Sequence, residues 1–136
     1  MAGLTPRTQA QEFYSDFSKN LDQIPGRKDL SRLINENSIK ESIKNIVLTN
    51  KGERLFQPNF GCDINASLFE NIDNNTVLIL RDNIKRAIRT FEPRCDLKNV
   101  EIIADLDTNN LQATVVFSVI NTSSTTSLTL DLVRER

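Results

Sequence analysis

Histidine is absent from the 136-residue chain. That removes the commonest general base and the commonest metal ligand, so a Ser-His triad and a His-containing zinc site are both excluded. Only two cysteines occur, Cys62 and Cys95. They read as reduced, partly buried thiols in a reducing compartment. No apolar run approaches the ~20 residues that a membrane span requires. The opening MAGLTPRTQAQEFYSDF lacks the apolar stretch of a secretory signal. Neither sign of charge dominates, with 17 basic against 18 acidic residues and a net charge of -1. No global field therefore points to nucleic acid or to an anionic membrane. Hydrophobic residues make up 38% of the chain, a low share, which implies surface that is exposed or covered only by partners. The length fits one domain able to bury a core.

What is present centres on Lys51 to Arg94, a Gly-punctuated loop, a short apolar segment and a long amphipathic helix. Residues 1–28 read as an N-terminal arm. In it Phe13, Phe17, Leu21 and Ile24 keep helical spacing, which permits a short helix. A single domain is expected over 29–136. It begins with a short strand at Asp29 to Ile34. Asn37 or Ser38 then caps a helix whose stripe is Ile39, Ile43, Ile46 and Val47. Asn50-Lys51-Gly52 ends that helix. Leu55, Phe56 and Phe60, set among Pro58 and Gly61, predict a loop pinned to the core. Ile64, Leu68 and Phe69 suit a short helix, and Asp73 to Asn75 supplies the next cap.

Val77, Leu80, Ile84, Ile88 and Phe91 are spaced by three and four residues and predict a helix from Thr76 to Phe91. Arg81, Lys85 and Arg89 form a flanking strip. Pro93 stops the helix. Beyond it the period becomes two. Val100, Ile102, Ala104 and Leu106 form one run. Ala113, Val115, Phe117 and Val119 form the next, after a turn at Asp107 to Asn110. Leu128, Leu130 and Leu132 form the third, after the polar segment NTSSTTS. These predict a three-stranded antiparallel meander with one apolar face. The fold class is α+β in two layers, the meander packed against two or three helices. An open strand edge follows, and an edge is a template for another chain.

Three catalytic constellations find little support. A glycosidase needs two carboxylates across a cleft with one pKa raised; Glu70 with Glu92 is one pair that spacing alone neither supports nor forbids. Lys51-Gly52 and Phe60-Gly61 match no phosphate-loop fingerprint. Cys62 or Cys95 as a nucleophile would need an activator other than histidine. The residue chemistry favours an interaction module over an enzyme.

Six short motifs run in order: Ser42-Ile43-Lys44-Asn45, Lys51-Gly52-Glu53-Arg54, Phe56 with Pro58, Phe60-Gly61-Cys62-Asp63-Ile64, Leu68-Phe69-Glu70-Asn71 and Phe91-Glu92-Pro93-Arg94. Together they resemble the small wedge protein of contractile-tail phage baseplates. That family includes the matching wedge component of type VI secretion baseplates and carries a historical lysozyme-like label. The resemblance implies a virion structural protein of the tail baseplate, assembled in the host bacterial cytoplasm. It implies a sheath initiator that exchanges strands with the tail-sheath protein; the strand anchored by Leu128, Leu130 and Leu132, which the polar segment NTSSTTS leaves free to separate, is the edge expected to face the sheath. It implies docking on the core bundle of other wedge proteins through Glu92, Pro93 and Arg94; the strip of Arg81, Lys85 and Arg89, which otherwise reads as a solvated face, is expected to support that docking. No cofactor, metal, nucleic acid, membrane or small-molecule substrate is implied. The other reading is a cell-wall glycan hydrolase. Cys95 stands where the family pattern favours an aliphatic residue.

Overall fold

The two helical stripes and the three alternating runs meet face to face. The computed structural model describes residues 11–69, 73–105, 110–122 and 124–133. In chain order the elements are β1 (Ser15–Phe17), β2 (Arg32–Ile34), α1 (Glu36–Leu48), α2 (Ile64–Phe69), α3 (Asn74–Phe91), β3 (Cys95–Asp105), β4 (Asn110–Val119) and β5 (Thr125–Val133). The last three form an antiparallel sheet in the order β3-β4-β5. The α+β class and the helix-covered meander are as the sequence predicts.

Ile39, Ile43, Ile46 and Val47 of α1 and Leu80, Ile84 and Ile88 of α3 are fully buried. They pack on the inner face of the sheet, where Leu97 pairs with Phe117, Val100 with Val115, and Val115 with Leu128. Leu130 stands opposite Ala113 and Leu132 opposite Leu111. At about 25 cal/mol per Å² of apolar surface buried, this shared core is the main stabilising term. Asp73 opens α3 as expected: its carboxylate accepts from the Thr76 amide at 2.8 Å, satisfying a donor that the first turn leaves unpaired.

The first strand of the meander starts earlier than the alternation from Val100 suggests. The register shifts between Leu97 and Asn99. The shift inverts the parity, so odd-numbered Cys95 and Leu97 face inward together with even-numbered Val100. A bulge of this kind hides a strand from a strict two-residue period. Similarly, Thr125 to Ser127 of the polar segment belong to β5, and Thr126 turns inward opposite Phe117. The expected turn residues 107–109, and Leu106 before them, lie outside the described residues.

The arm differs from its helical reading. Ser15–Phe17 pairs antiparallel with Arg32–Ile34, making a two-stranded ribbon. A helix from Phe13 to Ile24 is interrupted at Leu21, which holds a positive φ of 52°, and the residues before it pair as a strand instead. Phe13, Phe17 and Leu21 are consequently exposed. The expected strand at Asp29 to Ile34 shortens to β2, with a single bridge between Gln23 and Leu30 before it. α1 begins at Glu36, ahead of the expected cap at Asn37 or Ser38. Asn35 occupies the cap position at φ 49° but makes no cap bond. Its carboxamide serves the arm instead, accepting from the Phe13 and Tyr14 amides and donating to the Gln11 carbonyl.

Candidate docking site

α3 ends because Pro93 has no amide to donate and restricts Glu92 to non-helical angles. Glu92 adopts φ -125° and ψ 78°, and β3 starts three residues later. This short junction turns a helix into a strand and brings the Glu92 and Arg94 side chains together. Arg94 Nε donates to Glu92 Oε1 at 2.6 Å and Arg94 Nη2 donates to Oε2 at 2.7 Å. The geometry is a two-point fork, which lysine cannot form. The Arg94 amide also donates to Oε1, at 3.3 Å.

The two partners sit in different surroundings. The Glu92 side chain is 1% exposed and the Arg94 side chain 31%. Burial pushes the Glu92 carboxyl pKa up. The Arg94 hydrogen bonds, the Ser42 hydroxyl and the Arg94 charge outweigh it and hold the pKa below its ordinary value. In return Glu92 holds Arg94 protonated even more firmly than usual. Glu92 therefore faces inward and orients the arginine. Pro93 is exposed and Arg94 half-buried, and Arg94 Nη1 has no hydrogen-bond partner among the described residues.

The arm and the sheet close around this junction. The Tyr14 ring lies 5.8 Å from the Arg94 guanidinium carbon, within cation–π range. The Tyr14 hydroxyl donates to the Ile120 carbonyl, and the Ile120 amide donates to the Arg94 carbonyl at 3.0 Å. Sequence reasoning missed both Tyr14 and Ser42 as members of this site. Ser42 lies in a motif quoted above, but spacing gave no sign that its hydroxyl reaches Glu92.

The basic strip is spread along α3. Arg89 lies in the last turn, where a cation complements the helix dipole. Arg81 lies two turns earlier, roughly 12 Å along the axis. Its Nε is buried and has no hydrogen-bond partner among the described residues. Leu130 and Leu132 are core residues at 5% and 3% exposure and Leu128 is partly buried. They hold β5 to the helices, leaving Thr125, Ser127, Thr129 and Asp131 on its outer face.

The loop after α1 is only half pinned. Phe60 packs on Phe91 with ring centroids 5.0 Å apart, whereas Leu55 and Phe56 are 91% and 97% exposed. The expectation that all three fasten the loop to the core is corrected on this point. Hydrogen-bonded turns project residues 54–57 away from the body, so only Phe60 returns to it. Neither cysteine is disposed for nucleophilic chemistry: burial pushes Cys62 and Cys95 each up to about 11. Glu70, the other carboxylate of the glycosidase pair, lies outside the described residues.

The family model of baseplate wedge protein gp25 matches residues 35–127. Baseplate wedge protein gp25 of Enterobacteria phage T4 is 39% identical over 110 residues, which are 81% of this chain and 83% of that protein. A crystal structure from Geobacter sulfurreducens, provisionally named a tail lysozyme, is similar with a TM-score of 0.68 at 28% identity, covering 74% of this chain and 92% of that one. A chain of the baseplate complex from the type VI secretion system shares the fold at 17% identity, with a TM-score of 0.57 over 70% of this chain and 89% of its own.

Proposed function

The chain belongs to the baseplate wedge protein gp25 family and is a structural part of a contractile-tail baseplate; from that premise we propose that it starts the tail sheath by lending the β5 edge to a strand of sheath protein. The observation that carries this reading is the outer edge of β5, which no strand among the described residues pairs. Main-chain groups on such an edge supply affinity, and alternate side chains supply register. The other end of the link is the Glu92-Pro93-Arg94 junction, which docks on the core bundle of neighbouring wedge proteins. In that role Arg94 is the contacting group, Pro93 sets the chain direction, and Glu92 aims the guanidinium from below. Arg89, Lys85 and Arg81 add positive charge along the approach. The part is built into the tail baseplate in the host cytoplasm.

The protein acts without catalysis. A glycosidase acid must be protonated near neutral pH, whereas the fork with Arg94 holds Glu92 ionised. This argues against a glycan hydrolase built on that carboxylate, whatever the name of the Geobacter neighbour.

The test is Ser127→Lys. Ser127 is exposed on β5, and a lysine blunts an edge without touching the core. Tails carrying the variant are expected to form baseplates that lack sheath, while the purified variant keeps its melting temperature. Normal sheath on those tails in negative-stain images would overturn the assignment of the edge.

A further inference from the structure

The tip of the loop between α1 and α2 carries the two most exposed large apolar side chains of the described residues. Leu55 is 91% exposed and Phe56 97%. Such adjacent exposure is costly in water and marks an interaction site. The neck beneath them is built. The Gly52 amide donates to the Pro58 carbonyl at 2.8 Å, the Gln57 amide to the Arg54 carbonyl and the Phe60 amide to the Gln57 carbonyl. The Glu53 carboxylate accepts from the Asn50 amide at 2.8 Å. The Arg54 guanidinium lies 4.3 Å above the Phe60 ring. At the base, Gly61 has φ 104°, and a Cβ there would stand 2.3 Å from the Thr49 carbonyl oxygen. Only glycine closes the loop so tightly.

We infer that Leu55 and Phe56 are a preformed docking finger that enters an apolar pocket bordered by carboxylates on the same wedge partner that Arg94 meets. This rests on the docking half of the proposed function. Three observations choose that occupant. First, Phe60 of the neck packs on Phe91, the residue before Glu92, so finger and Arg94 junction share one rigid support and can engage one partner together. Second, Lys51 and Arg86 outnumber the single carboxylate, Asp63, in the lining of a cleft of about 240 Å³ between this loop and α3, and the Arg54 guanidinium sits at the neck, where Glu53 also lies, a balance of cations that complements carboxylates on a partner. Third, the apolar tip is only two residues wide, flanked by Glu53, Gln57 and Asn59. That suits a pocket in a protein better than a lipid surface, which takes up a broad apolar face. Ordering the finger in advance lowers the entropy lost on binding.

The experiment measures binding of the full chain to purified wedge core-bundle subunits. The variants are Leu55→Ser with Phe56→Ser, Lys51→Glu, and Arg94→Lys. The double-serine variant is expected to bind about 30-fold more weakly, the scale of an interface hot spot. Its melting temperature should not fall, because neither side chain is packed in the free protein. Lys51→Glu should weaken binding by a smaller factor, and added salt should narrow the difference. Wild-type binding by the double-serine variant, with Arg94→Lys impaired, would overturn the finger and leave Arg94 docking intact. Unimpaired binding by both would overturn docking itself and the finger with it. Light scattering and flotation with phosphatidylcholine–phosphatidylglycerol vesicles complete the test. Self-association or vesicle binding that the serines abolish, with partner binding unchanged, would assign the tip to a second copy or to lipid and overturn the inference.

Discussion

β3 and β5 flank the same central strand, but their outer edges, unpaired among the described residues, are made differently. β3 is bulged between Leu97 and Asn99. Its outer face carries Asp96, Lys98 and Glu101, with Lys98 paired to Asp96 at 2.5 Å, beside the exposed Ile103. Bulges and charges are the means by which sheets discourage pairing with another chain. β5 runs opposite β4 without a register shift, and its outer face is Thr125, Ser127, Thr129 and Asp131. Their roots differ as well. β3 leaves the buried Glu92–Arg94 fork, whereas β5 leaves a tie in which the Ser124 hydroxyl donates to the Glu36 carboxylate. One sheet thus carries a bulged, charge-bearing edge strand on one side and a regular one, anchored inward by Leu130 and Leu132, on the other, and the proposed lending of a strand calls on the regular one.

The largest expected effect is at the root of β3. Arg94→Ala leaves a carboxylate unpaired in the interior and should destabilise the fold by about 3 kcal/mol, measured by urea unfolding. A loss under about 0.5 kcal/mol would mean the fork holds nothing, and the contrast of roots would fail. This cost also means that docking is better probed with Arg94→Lys, which keeps the charge. Glu92→Gln should cost less, about 1–2 kcal/mol, because half-buried Arg94 can turn to water. Its cost also depends on pH. The folded pKa of Glu92 lies below its ordinary 4.5, so the fork's contribution is complete above that pH and is lost as pH falls through the folded value. Stabilities of wild type and Glu92→Gln should converge on acidification; a constant gap down to pH 3 would show that the charge is not what matters.

The smallest effect is expected at the root of β5. Glu36→Gln should change stability by less than about 0.5 kcal/mol, yet speed amide exchange at Thr125 to Ser127 relative to Cys95 to Leu97. Exchange equal at both ends, or a cost matching that of Arg94→Ala, would erase the difference between the edges.

Much of this arrangement was legible in the residues. The stripes of α1 and α3 and the alternation of the meander are burial patterns, and burial decided them. Glu92-Pro93-Arg94 was legible as a helix stop with an oriented arginine. Its asymmetry was not, because the burial of the carboxylate and its bond with the Ser42 hydroxyl depend on elements distant in sequence. The arm misled because Phe13, Phe17 and Leu21 keep helical spacing although no partner surface receives them as a stripe. Its pairing with β2 and the diversion of Asn35 from its helix are long-range choices that a local period does not encode. Leu55 and Phe56 misled for a related reason. An apolar residue beside Pro and Gly reads as a loop fastener, and only the turns of the folded chain show which of the three aromatic or aliphatic groups returns to the core.

The two enclosed thiols have a consequence for durability. Burial pushes each thiol up to about 11, which keeps both protonated at neutral pH, and the thiolate is the form that oxidants and alkylating agents attack. Packing thus makes these cysteines behave as small apolar residues, slow to react with oxidants or alkylating agents as long as the fold is intact.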